Sequence, residues 1–132
     1  MIELKIQTRS RQQLVDVTER VQEAVTESKV ESGIVICFVP HTTAAVTINE
    51  HADPDVVDDI TRTLSKVFPE AGDYRHAEGN SDAHIKASLI GNTVQVLVET
   101  GQLVLGHWQG IFFCEFDGPR SRTLIVKVAR FA

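Results

Sequence analysis

The stretch TVQVLVETGQLVLGHWQGIFFCEFDGPRSRTLIVKV, residues 93–128, contains three apolar segments separated only by short, glycine-containing connections. These segments predict strands at 93–99, 111–116 and 123–128, because β-branched and aromatic residues are concentrated in them. Strands that follow one another directly favour a largely antiparallel or mixed sheet over a doubly wound parallel one. The chain is therefore predicted to have an α+β fold.

The first half of the chain predicts two main helices. One is expected over about 17–31, with Gly33 near its C-terminus, where glycine is favoured. The other begins at Pro54, behind the acidic cap Asp53, and its apolar residues recur at helical spacing until Pro69. The remaining predicted elements are strands at 2–6, 14–15, 34–39 and 45–49, and a short third helix at 83–90 capped by Asp82.

The segment 34–39 (IVICFV) is apolar at both odd and even positions, which predicts a central strand covered on both faces. At 132 residues, the chain is expected to form one domain spanning 1–132. The two cysteines, Cys37 and Cys114, lie within apolar runs and are expected to be buried free thiols.

Charge and hydropathy exclude several classes of partner. A net charge of -5 argues against a broad basic surface for nucleic acid. No apolar stretch approaches the ~20 residues of a membrane span, so no membrane partner is expected. The N-terminal sequence MIELK alternates in polarity and carries an early acid, unlike a signal peptide, which predicts a cytoplasmic protein.

Three polar segments interrupt the apolar pattern: 40–43 with 49–51 following, 76–84, and 115–122. The middle one, HAEGNSDAH, places two histidines, two acids and an asparagine within nine residues, a composition typical of a turn or a site. We hypothesise that the three polar segments converge on one metal- and anion-binding site.

The histidines supply the candidate metal ligands. His76 and His84 bracket the middle segment, and His41, directly after the predicted central strand, is the best third ligand. Imidazole suits zinc and other transition metals. His51 and His107 are expected to be ordinary loop histidines. The alternative is that His41, His76 and His84 only stabilise a long loop.

The anion-binding candidates are two hydroxyls and two guanidinium groups. Thr42 and Thr43 offer neutral donors, while Arg120 and Arg122 offer forked donors that fit phosphate. The alternative is a surface arginine pair beside a turn. The acids Glu50, Glu115 and Asp117 follow strand ends and suit cation binding, proton transfer or pairing with the arginines. The single tryptophan, Trp108, suits stacking on a planar ring, and the alternative is a place in the core or in an interface.

Three longer blocks carry a family resemblance: PHTTAAVTINEHADPDV at 40–56, HAEGNSDAHIKASLIG at 76–91 and GHWQGIFFCEFDGPRSR at 106–122. Together they resemble the YjbQ family. The resemblance implies α+β domains that associate as homotrimers, with polar loops near subunit boundaries. It also implies, for some members, a weak secondary thiamine-phosphate synthase activity.

The resemblance carries over to particular positions. The family's histidine, polar, acidic and arginine positions fall on His41, Asn49, Glu50, His76, Asn80, Asp82, His84, Gln109, Glu115, Asp117, Arg120 and Arg122. One departure is visible, because His107 stands where the family usually has threonine.

These residues define the functional expectation. Thiamine-phosphate synthesis joins a pyrimidine-methyl diphosphate to a thiazole phosphate, with Glu50, Asp82 and Arg120 as the expected catalytic residues. The metal is expected to be zinc, or magnesium brought by the diphosphate. The expected substrate-binding residues are Thr42, Thr43, Asn49, Asn80, Trp108, Gln109, Glu115 and Arg122.

Two alternatives stay open. One is a metal-dependent hydrolase or lyase of a small phosphorylated or carboxylated metabolite, with Glu50 or Asp82 as general base. The other is a non-catalytic trimer that binds a metal or an anionic metabolite.

Overall fold

Eight strands and three helices make up the chain, and the computed structural model describes all residues from Met1 to Ala132. The strands are β1 (Ile2–Gln7), β2 (Gln13–Asp16), β3 (Ser32–Phe38), β4 (Ala44–Glu50), β5 (Thr93–Glu99), β6 (Gln102–Leu103), β7 (Gln109–Glu115) and β8 (Ser121–Arg130). The helices are α1 (Thr18–Ser28), α2 (Pro54–Val67) and α3 (Ser81–Ile90). None of these helices combines the length and the apolar character needed to cross a membrane.

The strands form two sheets in which every pairing is antiparallel. One sheet has five strands in the order β1-β8-β3-β5-β6, and the other has three in the order β2-β7-β4. The predicted α+β class with a largely antiparallel arrangement is therefore confirmed. The two-residue strand β6 was not predicted, because its side chains are too few to show an alternation.

The main core lies between the two sheets. Side chains alternate between the two faces of a strand, so Val35 and Leu124 of the five-stranded sheet meet Val46 and Phe113 of the three-stranded sheet. Val21 of α1 joins the same cluster. Burial of such side chains contributes about 1.5–3 kcal/mol each.

A second, smaller core covers the other face of the three-stranded sheet. Phe112 and Cys114 of β7 pack there with Ala83 and Ala87 of α3, and Leu64 of α2 lies against the cluster. This packing fixes α3 against the sheet, and with it the segment that leads into α3.

The outer face of the five-stranded sheet carries no covering element. Ile36, Phe38 and Leu97 on this face are 37%, 38% and 52% exposed. The prediction that the 34–39 strand is central is right, since β3 lies third of five. The prediction that both its faces are covered is wrong, because α2 and α3 pack on the three-stranded sheet instead.

The C-terminal end of α1 also differs from prediction. Helix α1 ends at Ser28, and Lys29 closes it in the left-handed conformation with φ 61°. Gly33 lies in β3, where an added Cβ would stand 2.0 Å from the carbonyl oxygen of Ala129. Gly33 is therefore required by strand packing and not by a helix cap.

Of the cap predictions for the other two helices, one is confirmed and one is wrong. The Asp53 side chain accepts a hydrogen bond from the Asp55 N–H at 2.9 Å, as predicted for the start of α2. Helix α3 begins at Ser81 with Asn80 at the N-cap, so Asp82 lies inside the first turn and does not cap the helix.

Candidate functional site

The start of β4 and the end of β7 bring two of the polar segments together. Ala44 pairs with Glu115 in the antiparallel register, so the residues before β4 lie beside those after β7. The N–H of Phe116 donates to the carbonyl of Thr43 at 3.2 Å. Helix α3 packs on β4 and brings the middle polar segment to the same place.

Residues of all three polar segments line two adjoining cavities that share Thr42, Thr43 and Arg120; we call them together the polar cleft. The first, of about 500 Å³, is also lined by Phe38, Val39, Pro40, His41, Asn92 and Arg122. The second, of about 540 Å³, has no hydrophobic side chain and is also lined by His76, Glu78, Asn80, His84 and Asp117.

A buried ion pair forms the floor of the cleft. Arg122 and Glu115 are 4% and 0% exposed and make a forked contact, with Arg122 Nε 2.9 Å from Glu115 Oε1 and Nη2 bonded to Oε2. Glu115 also accepts from Thr8 Oγ1 at 2.7 Å and from the Asp117 N–H at 3.0 Å. Burial raises the pKa of Glu115, but these hydrogen bonds outweigh it and the pKa lies below its ordinary value. Glu115 thus holds Arg122 and is not positioned to contact a substrate.

Arg122 is held on its other side by Thr43. Its Nη2 donates to Thr43 Oγ1 at 2.8 Å and to the Thr43 carbonyl at 3.3 Å. No hydrogen bond joins its remaining nitrogen, Nη1, to another residue. The guanidinium is therefore fixed in orientation and still has donor capacity toward the cleft.

Asp117 organises the opposite wall. Its Oδ2 accepts from Asn80 Nδ2 at 2.8 Å and from Arg120 Nη2 at 3.1 Å, and its carbonyl accepts from Arg120 Nε at 2.8 Å. Asn80 Oδ1 is buried and has no hydrogen-bond partner in the protein. The wall therefore offers one free acceptor beside a half-exposed guanidinium.

His41 has its tautomer fixed by the backbone. Its Nε2 lies 3.0 Å from the Thr123 N–H, which only donates, so Nε2 is the acceptor and Nδ1 carries the proton in the neutral ring. Burial lowers the pKa of His41, and the nearby charge of Arg122 lowers it further. His41 therefore faces the cleft as a neutral N–H donor.

His76 and His84 stand together, but His41 does not complete a ligand set with them. Their rings meet edge to face with centroids 5.4 Å apart, and His76 Nε2 is 3.7 Å from Glu78 Oε2. No three histidine, cysteine, aspartate or glutamate side chains are arranged to hold a metal ion. A metal on Nδ1 of His41 would also force a proton onto Nε2, opposite the Thr123 N–H. The residues present thus do not fit the predicted three-histidine zinc site.

Asp82 is committed to a buried network and is not free to act as a base. It is 1% exposed, and its carboxylate contacts Arg11 at 3.1 Å and Lys86 at 2.8 Å. Burial raises the pKa of Asp82, but the hydrogen bonds and charges of Lys86 and Arg11 outweigh it and lower the pKa overall. Lys86 is 3% exposed and also donates to Gln12 at 2.9 Å.

Thr8, Arg11 and Lys86 were missed by sequence reasoning. Arg11 contacts Glu70, Asp82 and Asp117, and so links three separate segments. The spacing of Asp82 and Lys86, four residues apart, is the one signal that predicts an ion pair from sequence. Thr8 and Arg11 carry no such signal, because their partners lie far along the chain.

Four residues predicted to bind substrate or to act in catalysis lie outside the polar cleft. Asn49, Glu50, Trp108 and Gln109 are at the opposite end of the three-stranded sheet, where Glu50 pairs with Gln109. That end is six residue steps along β4 from Ala44, or roughly 20 Å at about 3.4 Å per residue. Within one chain, these four residues do not belong to the polar cleft.

The whole chain matches known sequences. A family model described as "UPF0047 protein YjbQ-like" matches residues 2–130. UPF0047 protein MJ1081 of Methanocaldococcus jannaschii is 50% identical over 128 residues, covering 97% of this chain and 93% of the relative. UPF0047 protein YugU of Bacillus subtilis is 48% identical, covering 95% of this chain and 96% of the relative.

Solved structures of YjbQ-like proteins share the fold of this chain. An uncharacterized conserved protein of the YjbQ/UPF0047 family from Clostridium acetobutylicum has a TM-score of 0.97 at 55% identity, covering 98% of this chain and 100% of that one. A YbjQ-like protein of unknown function from Sulfolobus solfataricus has a TM-score of 0.94 at 32% identity, covering 98% and 96%. The chain belongs to the YjbQ-like UPF0047 protein family.

Proposed function

We propose that the polar cleft binds a small phosphorylated metabolite and that the chain is a transferase of the thiamine-phosphate synthase type. The observation that carries the proposal is the guanidinium of Arg122, which is buried, fixed by Glu115 and Thr43, and lines the cleft beside Arg120. A donor already held in one orientation costs little further ordering when it binds phosphate oxygens.

The reaction requires stabilisation of a leaving diphosphate. The bond between the pyrimidine methyl carbon and the diphosphate oxygen breaks, its electron pair leaves with pyrophosphate, and the thiazole nitrogen forms the new bond to carbon. Arg120 and Arg122 hold the phosphate oxygens in this proposal, with Thr42 as a neutral donor. The Nδ1–H of His41 donates to the oxygen on which negative charge develops.

Pyrophosphate binding tests the cleft directly. We expect Arg120→Ala to weaken the binding of inorganic pyrophosphate about tenfold in titration calorimetry, because a charge-assisted hydrogen bond contributes about 1.5–3 kcal/mol. The matched control is Arg62→Ala, which removes an exposed guanidinium paired only with Asp58 and Asp59 on α2. Equal affinities for Arg120→Ala and wild type would refute the proposed phosphate site.

Turnover separates catalysis from binding. Wild type supplied with the pyrimidine diphosphate and the thiazole phosphate is expected to form thiamine phosphate, with a lower rate in Arg120→Ala. Pyrophosphate binding without product would instead support the non-catalytic anion-binding alternative.

No catalytic step is assigned to a metal, because His41 does not fit a zinc site with His76 and His84. Magnesium accompanying a diphosphate substrate is the metal consistent with the proposed chemistry. A zinc titration checks the ligand set: His41→Ala is expected to bind zinc as wild type does. Loss of zinc binding in His41→Ala would restore the three-histidine site, and with it the metal-dependent hydrolase alternative.

The proposed working form is a cytoplasmic homotrimer, as the family resemblance implies. The support is the uncovered face of the five-stranded sheet, where Ile36, Phe38 and Leu97 are exposed and Phe38 also lines the cleft. Light scattering is expected to show trimers for wild type and smaller species for Leu97→Glu. The control is Val67→Glu on α2, which also replaces an exposed apolar side chain. Trimers in Leu97→Glu would exclude this face as the interface.

A further inference from the structure

The far end of the three-stranded sheet holds a second arrangement of ionisable side chains. His51 follows β4, and its ring lies over Gly110 of β7, where an added Cβ would stand 2.3 Å from His51 Nδ1. Beyond β7, on β2, Asp16 Oδ2 is 2.9 Å from that Nδ1. Gly110 therefore leaves room for an imidazole that bridges two strands which are not neighbours.

Asp16 holds the ring in one tautomer. Its Oδ1 accepts from the Thr18 N–H at 3.0 Å and from Thr18 Oγ1 at 2.6 Å, which leaves Oδ2 for His51. Burial raises the pKa of Asp16, but the bonds from Thr18 and His51 outweigh it and keep the pKa low. An ionised carboxylate only accepts, so Nδ1 of His51 carries a proton and, in the neutral ring, Nε2 holds the lone pair.

The lone pair of Nε2 is available. No hydrogen bond joins Nε2 to another residue, and the side chain is 33% exposed. The ring lines a cavity of about 350 Å³ together with Asp16, Thr18, Glu19 and Arg20. A histidine oriented by a carboxylate, with its second nitrogen free beside a cavity, has the arrangement of an activated nucleophile.

We propose that the Asp16–His51 pair is a second functional site, where His51 Nε2 attacks the carbonyl carbon of small uncharged esters and Asp16 is its positioning residue. Anionic esters are disfavoured in this cavity because its two carboxylates outnumber the single guanidinium of Arg20, and an uncharged ester meets no such repulsion.

The reaction balances without a cofactor. The Nε2 lone pair forms a carbon–nitrogen bond, the ester carbon–oxygen bond breaks, and the alkoxide leaves with the electron pair. The positive charge of the acyl-imidazolium lies beside the Asp16 carboxylate. Water then displaces the imidazole, which yields the carboxylic acid, the alcohol after proton transfer, and free His51.

p-Nitrophenyl acetate is the test probe. Wild type is expected to release p-nitrophenolate over repeated turnovers, because water displaces the imidazole from the acetyl group after each cycle. His51→Gln is expected to lose this reaction. The matched control His107→Gln removes an exposed histidine of the adjacent loop that has no carboxylate partner, and is expected to react like wild type.

Asp16→Asn tests the positioning role. The rate is expected to fall about tenfold, because this pair is partly exposed; a positioned general acid or base typically contributes about 10²–10⁴-fold. Nitrogen NMR of the imidazole should show the Nδ1–H tautomer of His51 dominant in wild type and reduced in the variant. A His51→Gln rate equal to wild type would overturn the site. An unchanged Asp16→Asn rate despite a changed tautomer would overturn the role of Asp16.

Discussion

The two ends of the three-stranded sheet each hold a histidine whose neutral ring carries its proton on Nδ1, yet these neutral rings present opposite groups to their cavities. At the cleft end, the Thr123 amide occupies Nε2 of His41, so an N–H donor faces the cavity. At the far end, the Asp16 carboxylate occupies Nδ1 of His51, so a lone pair faces the cavity. The chemistry of each histidine therefore depends on which ring nitrogen is hydrogen-bonded within the protein. The partner residue determines which nitrogen that is.

The largest effect is expected from breaking the floor of the cleft. Glu115→Gln leaves the buried Arg122 without its counter-charge and is expected to lower the free energy of unfolding by about 3–5 kcal/mol. Chemical denaturation measures the loss. The control Asp58→Asn breaks an exposed pair with Arg62 and should cost about 1 kcal/mol or less. Similar losses for both variants would contradict a special role for the buried pair.

Acid should weaken the cleft end first. The lowered pKa of Glu115 means that its stabilising contribution is complete above the ordinary value of 4.5 and is lost as the pH falls through the lower folded value. Asp82 acts in the same direction below its ordinary 3.8. Denaturation midpoints are therefore expected to begin to fall below about pH 6.5, where the lowered pKa of His41 first costs stability, and to fall more steeply below about pH 4.5. Asp82→Asn should reduce the fall of the denaturation midpoint at acid pH. An unchanged fall would show that Asp82 does not contribute to it.

At the far end, Gly110→Ala is the corresponding perturbation. The new methyl group would lie 2.3 Å from His51 Nδ1 and 2.7 Å from His51 Cβ, so the residue has to move as a whole. The expected cost is about 1–3 kcal/mol, typical of overpacking, with loss of the Asp16 contact. Gly106→Ala is the control, since its methyl would meet only the flexible end of Gln109 at 3.2 Å. Thermal unfolding and the His51 NMR signals should change in Gly110→Ala and stay close to wild type in Gly106→Ala.

The smallest effect concerns the donor of His41. Asparagine places an amide N–H near the position of Nδ1, whereas glutamine places its amide near Nε2. We expect His41→Asn to bind pyrophosphate more tightly than His41→Gln, by about fivefold, the size of one neutral hydrogen bond. Equal affinities would show that the Nδ1 proton contributes nothing to binding.

Local sequence was a sound guide to the elements. The predicted strand 93–99 matches β5 residue for residue, and Asp53 caps α2 as predicted. Residues of 40–43, 76–84 and 115–122 do line one cleft, whereas Asn49 and Glu50 lie at the other end of β4. Their roles within it were less predictable, because burial of Glu115 and Asp82 depends on partners elsewhere. Thr8 and Glu115, for example, are 107 positions apart.

The sequence by itself determined the antiparallel α+β class, since the alternation of apolar residues and the short connections are local properties. Only the tertiary structure decided which sheet face is uncovered and which polar residues share an end. Residues such as Thr42 and Glu50 are close in sequence but separated by the length of β4, because an extended strand carries each residue about 3.4 Å further along the sheet.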